Sequence, residues 1–147
     1  MVAVGEVAPD FEAPLADGKS FRLGTLKGKP VILYFYPKAD TPGCTIEAQG
    51  FRDRYAEFRA KGVEIVGVSV DTTADQHRFQ EKYGLPFPLV ADAGATVAKR
   101  YGVLLPQGVA NRVTFFLDPE HRVVDRVEDR SPKPHLDRAV ERFLRAG

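Results

Sequence analysis

Residues 31–45 read VILYFYPKADTPGCT, and the fold is decided in that stretch. Its first six residues are β-branched, aliphatic or aromatic with no polar break, the pattern of a strand covered on both faces. Thr41-Pro42 then supplies an N-cap followed by proline at the first helical position, where its missing N–H costs nothing. Beyond it Ala48, Phe51, Tyr55 and Phe58 recur at helical spacing until Gly62, which is placed to cap the C-terminus. The stretch therefore predicts a buried strand, a tight loop and a long helix.

Working outward, residues 63–70 (VEIVGVSV) predict a second buried strand, and residues 71–73 can cap a second helix whose Phe79 and Tyr83 share a face before Gly84. Residues 86–90 read as a short strand and 93–101 as a short helix. Residues 112–117 (RVTFFL) form a strand that turns at Asp118-Pro119-Glu120 into another at 123–127, an antiparallel hairpin. Leu136, Ala139, Val140, Phe143 and Leu144 mark one face of a last helix starting near Pro134. Beginning with βαβ and ending with ββα is the order of a thioredoxin-like fold: α/β, with a central mixed β-sheet flanked by helices on both faces. A chain of 147 residues without repeats, linkers or low-complexity stretches is expected to form one domain, 1–147, burying about 70% of its unfolded surface.

Composition narrows the function. With 21 basic and 20 acidic side chains there is no electrostatic reason to expect nucleic acid or an anionic membrane as partner. The first fourteen residues carry Glu6, Asp10 and Glu12 and lack an apolar run long enough for a signal sequence, which sets a cytoplasmic location as the expectation. A single Cys cannot form an internal disulfide, a C-x-x-C redox pair or a cysteine zinc site. His77, His121 and His135 stand on different segments without ligand spacing, so they read as solvated histidines, and no metal is expected. No glycine-rich phosphate loop is present, and no organic cofactor is expected either.

Chemistry concentrates in the loop from Pro37 to Thr45. A lone Cys is commonly a small buried hydrophobe. Cys44, however, falls in the first turn of a helix capped by Thr41, where unpaired N–H groups and the helix dipole favour a thiolate, at the strand-to-helix turn where α/β sheets carry their sites.

The string YFYPKADTPGCT, with Glu47 and Phe51-Arg52-Asp53 after it, closely resembles the bacterioferritin comigratory protein (Q-type) peroxiredoxins. The resemblance covers nearly the whole chain. Gly5-Glu6-Val7-Ala8-Pro9-Asp10-Phe11, Gly28-Lys29-Pro30, Val66-Gly67-Val68-Ser69 and Arg112-Val113-Thr114-Phe115 all fall where that family's segments fall. It implies a thiol-dependent peroxidase whose active-site set is Pro37, Thr41, Cys44 and Arg112.

Reducing a hydroperoxide means in-line attack of sulfur on one oxygen while the other leaves with developing negative charge. Arg112 and the Thr41 hydroxyl are suitable donors, and Pro37 would close the pocket against water. Ionising the thiol is not enough. An ordinary cysteine is about 3% thiolate at pH 7, so complete ionisation gains only about thirtyfold, ~2 kcal/mol. Glu47 reads as an exposed helix acid rather than a group that orients its neighbours.

Many members of the resembled family carry a resolving Cys five residues after the nucleophile; this chain has Gln49 there. The cycle implied is of the one-Cys kind: Cys44 becomes a sulfenic acid, and an external thiol (thioredoxin, glutaredoxin or a small thiol) returns it to the reduced state. The expected unit is a monomer, with a weak homodimer as the alternative. A peroxide-sensing protein that relays the oxidation to a partner is the rival reading. A thiol-disulfide oxidoreductase of the same fold lacks its C-x-x-C.

Overall fold

The computed structural model describes residues 1–145. Strands β1 (Glu12–Pro14) and β2 (Ser20–Arg22) form a small antiparallel hairpin, followed by a 3-10 turn, Leu23–Leu26. Then come β3 (Val31–Phe35), α1 (Pro42–Ala60), β4 (Glu64–Ser69), α2 (Thr73–Tyr83), β5 (Leu89–Ala91), α3 (Thr96–Tyr101), β6 (Val113–Leu117), β7 (Val123–Glu128) and α4 (Pro132–Val140). A π-helical turn, Glu141–Arg145, prolongs α4.

The five larger strands form one sheet in the order β5-β4-β3-β6-β7. β3, β4 and β5 are parallel, β6 runs against them, and β7, antiparallel to β6, returns to their direction, so the sheet is mixed as the thioredoxin-like fold requires. Every residue of β3 is fully buried, and its side chains alternate between two cores. Ile32 and Tyr34 pack with Ala48, Phe51 and Phe58 of α1, Phe79 of α2 and Ala139 of α4. Val31, Leu33 and Phe35 pack on the opposite face with Val97, Ala98 and Tyr101 of α3 and with Phe11. Helices thus cover both faces.

The predicted cap of α2 and the predicted stops of α1 and α2 work as their chemistry demands. The Thr72 hydroxyl caps α2 by accepting from Asp75 N (3.2 Å), and Gly62 and Gly84 adopt the left-handed conformations that stop α1 and α2. Three boundaries differ from expectation by more than one residue. β5 begins at Leu89 because Pro86 and Pro88 have no N–H for a ladder. α3 begins at Thr96 because the Asp92 carboxylate accepts from Val97 N (3.1 Å) and Ala98 N (2.8 Å), capping the helix across a short turn. α4 starts at Pro132, after Ser131, instead of at Pro134. The hairpin β1–β2 gave no sequence signal, each strand being three residues long.

Candidate active site

β3 is the central strand, and the loop leaving its C-terminal end is pinned at successive points. Ala39 N donates to Asp71 Oδ2 (2.8 Å), which also accepts from Ser69 Oγ (2.6 Å). Asp40 adopts φ +59°, unusual for a residue with a side chain, and its carboxylate accepts from Tyr83 OH (2.7 Å) and Lys82 Nζ (2.9 Å) at the end of α2. Thr41 is extended and opens α1, with Thr45 N donating to its carbonyl (2.8 Å). The Thr41 hydroxyl makes no cap bond. It donates to Lys38 O (2.8 Å), which leaves its oxygen free to accept.

Cys44 lies in the first turn of α1 and is 1% exposed. The β3–β6 register, with Phe35 opposite Val113, brings Arg112 alongside the end of β3 where the loop departs. Arg112 is itself buried, and its three kinds of N–H point three ways. Nε donates to Arg130 O (2.8 Å), Nη1 to Glu47 Oε1 (2.6 Å) and Nη2 to Cys44 Sγ (3.3 Å). Gly43 makes this approach possible, since a Cβ there would stand 3.0 Å from Nη2. Pro37, half-buried, lines a pocket of about 310 Å³ together with Leu105, Val109, Asn111, Arg112 and Arg130. The structure therefore brings Cys44 and Arg112 into direct contact, sets Pro37 beside Arg112, and turns the Thr41 hydroxyl toward Lys38.

Two sequence expectations are overturned. Glu47 is not an exposed helix acid: it is fully buried and paired with Arg112. Nor are the histidines all solvated, since His121 and His135 are buried and only His77 is half-exposed. For Glu47 a signal was present. Residues 44, 47, 48 and 51 follow the i, i+3, i+4, i+7 spacing of one helix face, and Ala48 and Phe51 already mark that face as core. Likewise His135 stands four residues before buried Ala139 on the inner face of α4.

Burial pushes the Glu47 carboxyl up to about 8, against the pull of the Arg112 guanidinium. A carboxylic acid with its proton on Oε2 still accepts at Oε1, so the contact to Nη1 survives protonation. Burial also opposes the charge on Arg112, but Glu47 and Cys44 outweigh it and hold the guanidinium above its ordinary value. Among the described residues, no group of three or more His, Cys, Asp or Glu is placed to hold a metal ion.

Comparison with known proteins identifies the family. The profile of the AhpC/TSA family matches residues 4–126. The chain is 44% identical over 127 residues to a putative peroxiredoxin bcp of Coxiella burnetii, covering 81% of this chain and 83% of that one. The solved peroxidoxin BcpB of Mycobacterium tuberculosis is 36% identical with a TM-score of 0.92, covering 100% of this chain and 99% of its own. The bacterioferritin comigratory protein of Xanthomonas campestris, whose structures bear on alkyl peroxide reduction, is 30% identical with a TM-score of 0.85, over 92% of this chain and 90% of its own. The matches in sequence and in fold together place it: the chain belongs to the AhpC/TSA family and is a peroxiredoxin, a thiol-dependent peroxidase.

Proposed function

We propose that this peroxidase reduces hydrogen peroxide and organic hydroperoxides through a sulfenic acid on Cys44 that an external thiol resolves, in antioxidant defence in the cytoplasm. The observation that carries the reading is the 3.3 Å contact between Arg112 Nη2 and the sulfur of the chain's one cysteine. In the first step the Cys44 thiolate attacks one peroxide oxygen. The S–O bond forms as the O–O bond breaks, sulfur loses two electrons, and the departing hydroxide or alkoxide takes up a proton. Arg112 holds the nucleophile and offers fixed donors to the developing charge; the free lone pairs of Thr41 accept the peroxide proton; Pro37 shields the sulfur from water. In the second step a reductant thiolate attacks the sulfenic sulfur, water leaves, and a second thiol frees Cys44 from the mixed disulfide. Organic substrates are supported by the neighbour from Xanthomonas and by the partly apolar pocket beside Arg112.

The test is peroxide consumption in large molar excess over protein with dithiothreitol supplied, alongside Cys44→Ser. Sustained turnover by the wild type and none by a folded Cys44→Ser is expected. Oxidation that stops after one equivalent despite the thiol would instead favour a sensor, and activity persisting in Cys44→Ser would place the chemistry elsewhere.

A further inference from the structure

We propose that His135, on α4, is a positioning residue for this site: its ring fixes the backbone segment that grips Arg112 and packs against the carboxyl group that shares the arginine, and so keeps Arg112 aimed at Cys44. The proposal rests on the peroxidase reading above.

His135 is fully buried, and both of its nitrogens are engaged. Nε2 lies 2.8 Å from Asp129 O, and a carbonyl only accepts, so Nε2 carries the proton. Nδ1 is then the acceptor, with Thr114 Oγ1 donating to it at 2.7 Å. Burial, first, and the nearby Arg112 charge hold the ring below its ordinary pKa, in keeping with this neutral tautomer.

The Asp129 carbonyl is one residue from the grip on Arg112. Arg130 O accepts from Arg112 Nε at 2.8 Å, and Asp129 N donates to Arg112 O at 3.3 Å. Residues 129 and 130 are therefore fastened to His135 on one side and to Arg112 on the other. The same ring faces the second partner of Arg112. Nδ1 is 3.8 Å from Glu47 Oε2, a buried oxygen without a hydrogen-bond partner among the described residues, while Glu47 Oε1 takes Arg112 Nη1.

Arg112 thus has three partners, Arg130 O, Glu47 and Cys44, and His135 stands behind the first two. The other ionisable groups near Glu47 are Cys44 on its own helix, Arg112 before β6 and Tyr34 on β3. A proton on Nδ1 would take away the acceptor of the Thr114 hydroxyl and set a second donor against the Glu47 carboxyl that receives Arg112, so the neutral ring is the form that keeps the arginine aimed. The spacing is set by α4 lying close on α1: Leu136 Cδ1 sits 2.5 Å from where a Cβ on Gly50 would be.

Two substitutions separate the two nitrogens. His135→Gln retains an N–H within reach of Asp129 O; His135→Asn carries its amide where Nδ1 was and falls short of that carbonyl. The readout is the second-order rate of single-turnover peroxide attack on reduced Cys44, by rapid acid quench and thiol counting. His135→Asn is expected to lose about tenfold or more, whereas His135→Gln keeps the rate within about threefold of wild type. Equal rates in all three proteins overturn the proposal, as does a folded Gln variant that falls as far as Asn. A measurement independent of activity uses the wild type alone: ¹⁵N-histidine NMR should show His135 protonated on Nε2 and bare on Nδ1 from pH 6 to 8. A proton on Nδ1 in that range overturns the proposal even if the Asn variant does not fold. Wild type that consumes no peroxide overturns the functional reading, while the NMR result still decides the tautomer.

Discussion

Replacing Gly43 by alanine should separate catalysis from stability. A Cβ at position 43 would meet Arg112 Nη2 at 3.0 Å and Cζ at 3.8 Å. Relaxing the closer contact to an ordinary separation of about 3.4 Å moves the guanidinium by about 0.4 Å. Arg112 is tethered at Nε and Nη1, so the movement falls on Nη2, the nitrogen over the sulfur. If a misplacement of about 1 Å costs roughly a hundredfold, one of about 0.4 Å slows peroxide attack about sixfold. Stability responds differently. Alanine gains about 0.5–1 kcal/mol over glycine in a helix, which offsets a crowding cost of about 1 kcal/mol. The thermal midpoint should stay within about 3 °C of wild type. Acid-quenched single-turnover kinetics measure the first quantity and a thermal melt by circular dichroism the second. An unchanged rate would show that Nη2 is not aimed as described, and a slow variant that also melts many degrees early would show only a damaged fold.

Arg112→Lys should slow peroxide attack about a hundredfold or more, because one ammonium cannot serve Cys44 Sγ, Glu47 and Arg130 O together; wild-type rates in competition against a second peroxidase would exclude Arg112 from the site. Glu47 makes stability depend on pH. Its carboxyl is raised from 4.5 to about 8 by burial, so between those values the folded chain keeps a proton that the unfolded chain has released. The stability it contributes is whole below pH 4.5 and is lost as pH rises through about 8. Urea unfolding should therefore show wild type losing stability relative to Glu47→Gln between pH 5 and pH 8, and the opposite sign refutes the assignment. One equivalent of peroxide without reductant should leave a Cys44 sulfenic acid, trapped as one adduct per chain by mass. Gln49→Cys should instead lose two hydrogens as a disulfide, which requires the start of α1 to unwind, since five residues along a helix separate Cα atoms by about 8–9 Å. A wild type that forms mainly a Cys44-to-Cys44 dimer contradicts the external-thiol cycle.

The strand, loop and helix over residues 31–60 were legible because each local rule agreed: an unbroken apolar run, Thr41-Pro42 at the helix start, and glycine at 62. The fold class followed from the order of such units, and the β3–β6 register then carried Arg112 to the thiol. The misread residues were polar ones whose burial depends on partners far along the chain. Glu47 is buried because Arg112 reaches it across 65 residues, and His135 because Thr114 and Asp129 meet its two nitrogens. Sequence periodicity reports which face is covered, whereas it does not report which charge the cover supplies. The shifted start of β5 has a plainer cause, since Pro86 and Pro88 interrupt a run whose side chains otherwise suit a strand.

Cys44 hangs between a durable part of the molecule and a perishable one. β3, bonded to β4 on one side and β6 on the other and wholly unexposed, should surrender its amide protons to solvent only when the entire sheet comes apart. The opening turn of α1 has no such backing, because its leading N–H groups have no carbonyl behind them. A small peroxide needs little room, but a bulkier reductant thiol is kept from a residue that is 1% exposed, so in the proposed cycle it waits for that turn to fray. Recycling is then clocked by a helix end. Its rate climbs with reductant concentration only to a first-order ceiling, and that ceiling belongs to this chain rather than to the thiol that serves it.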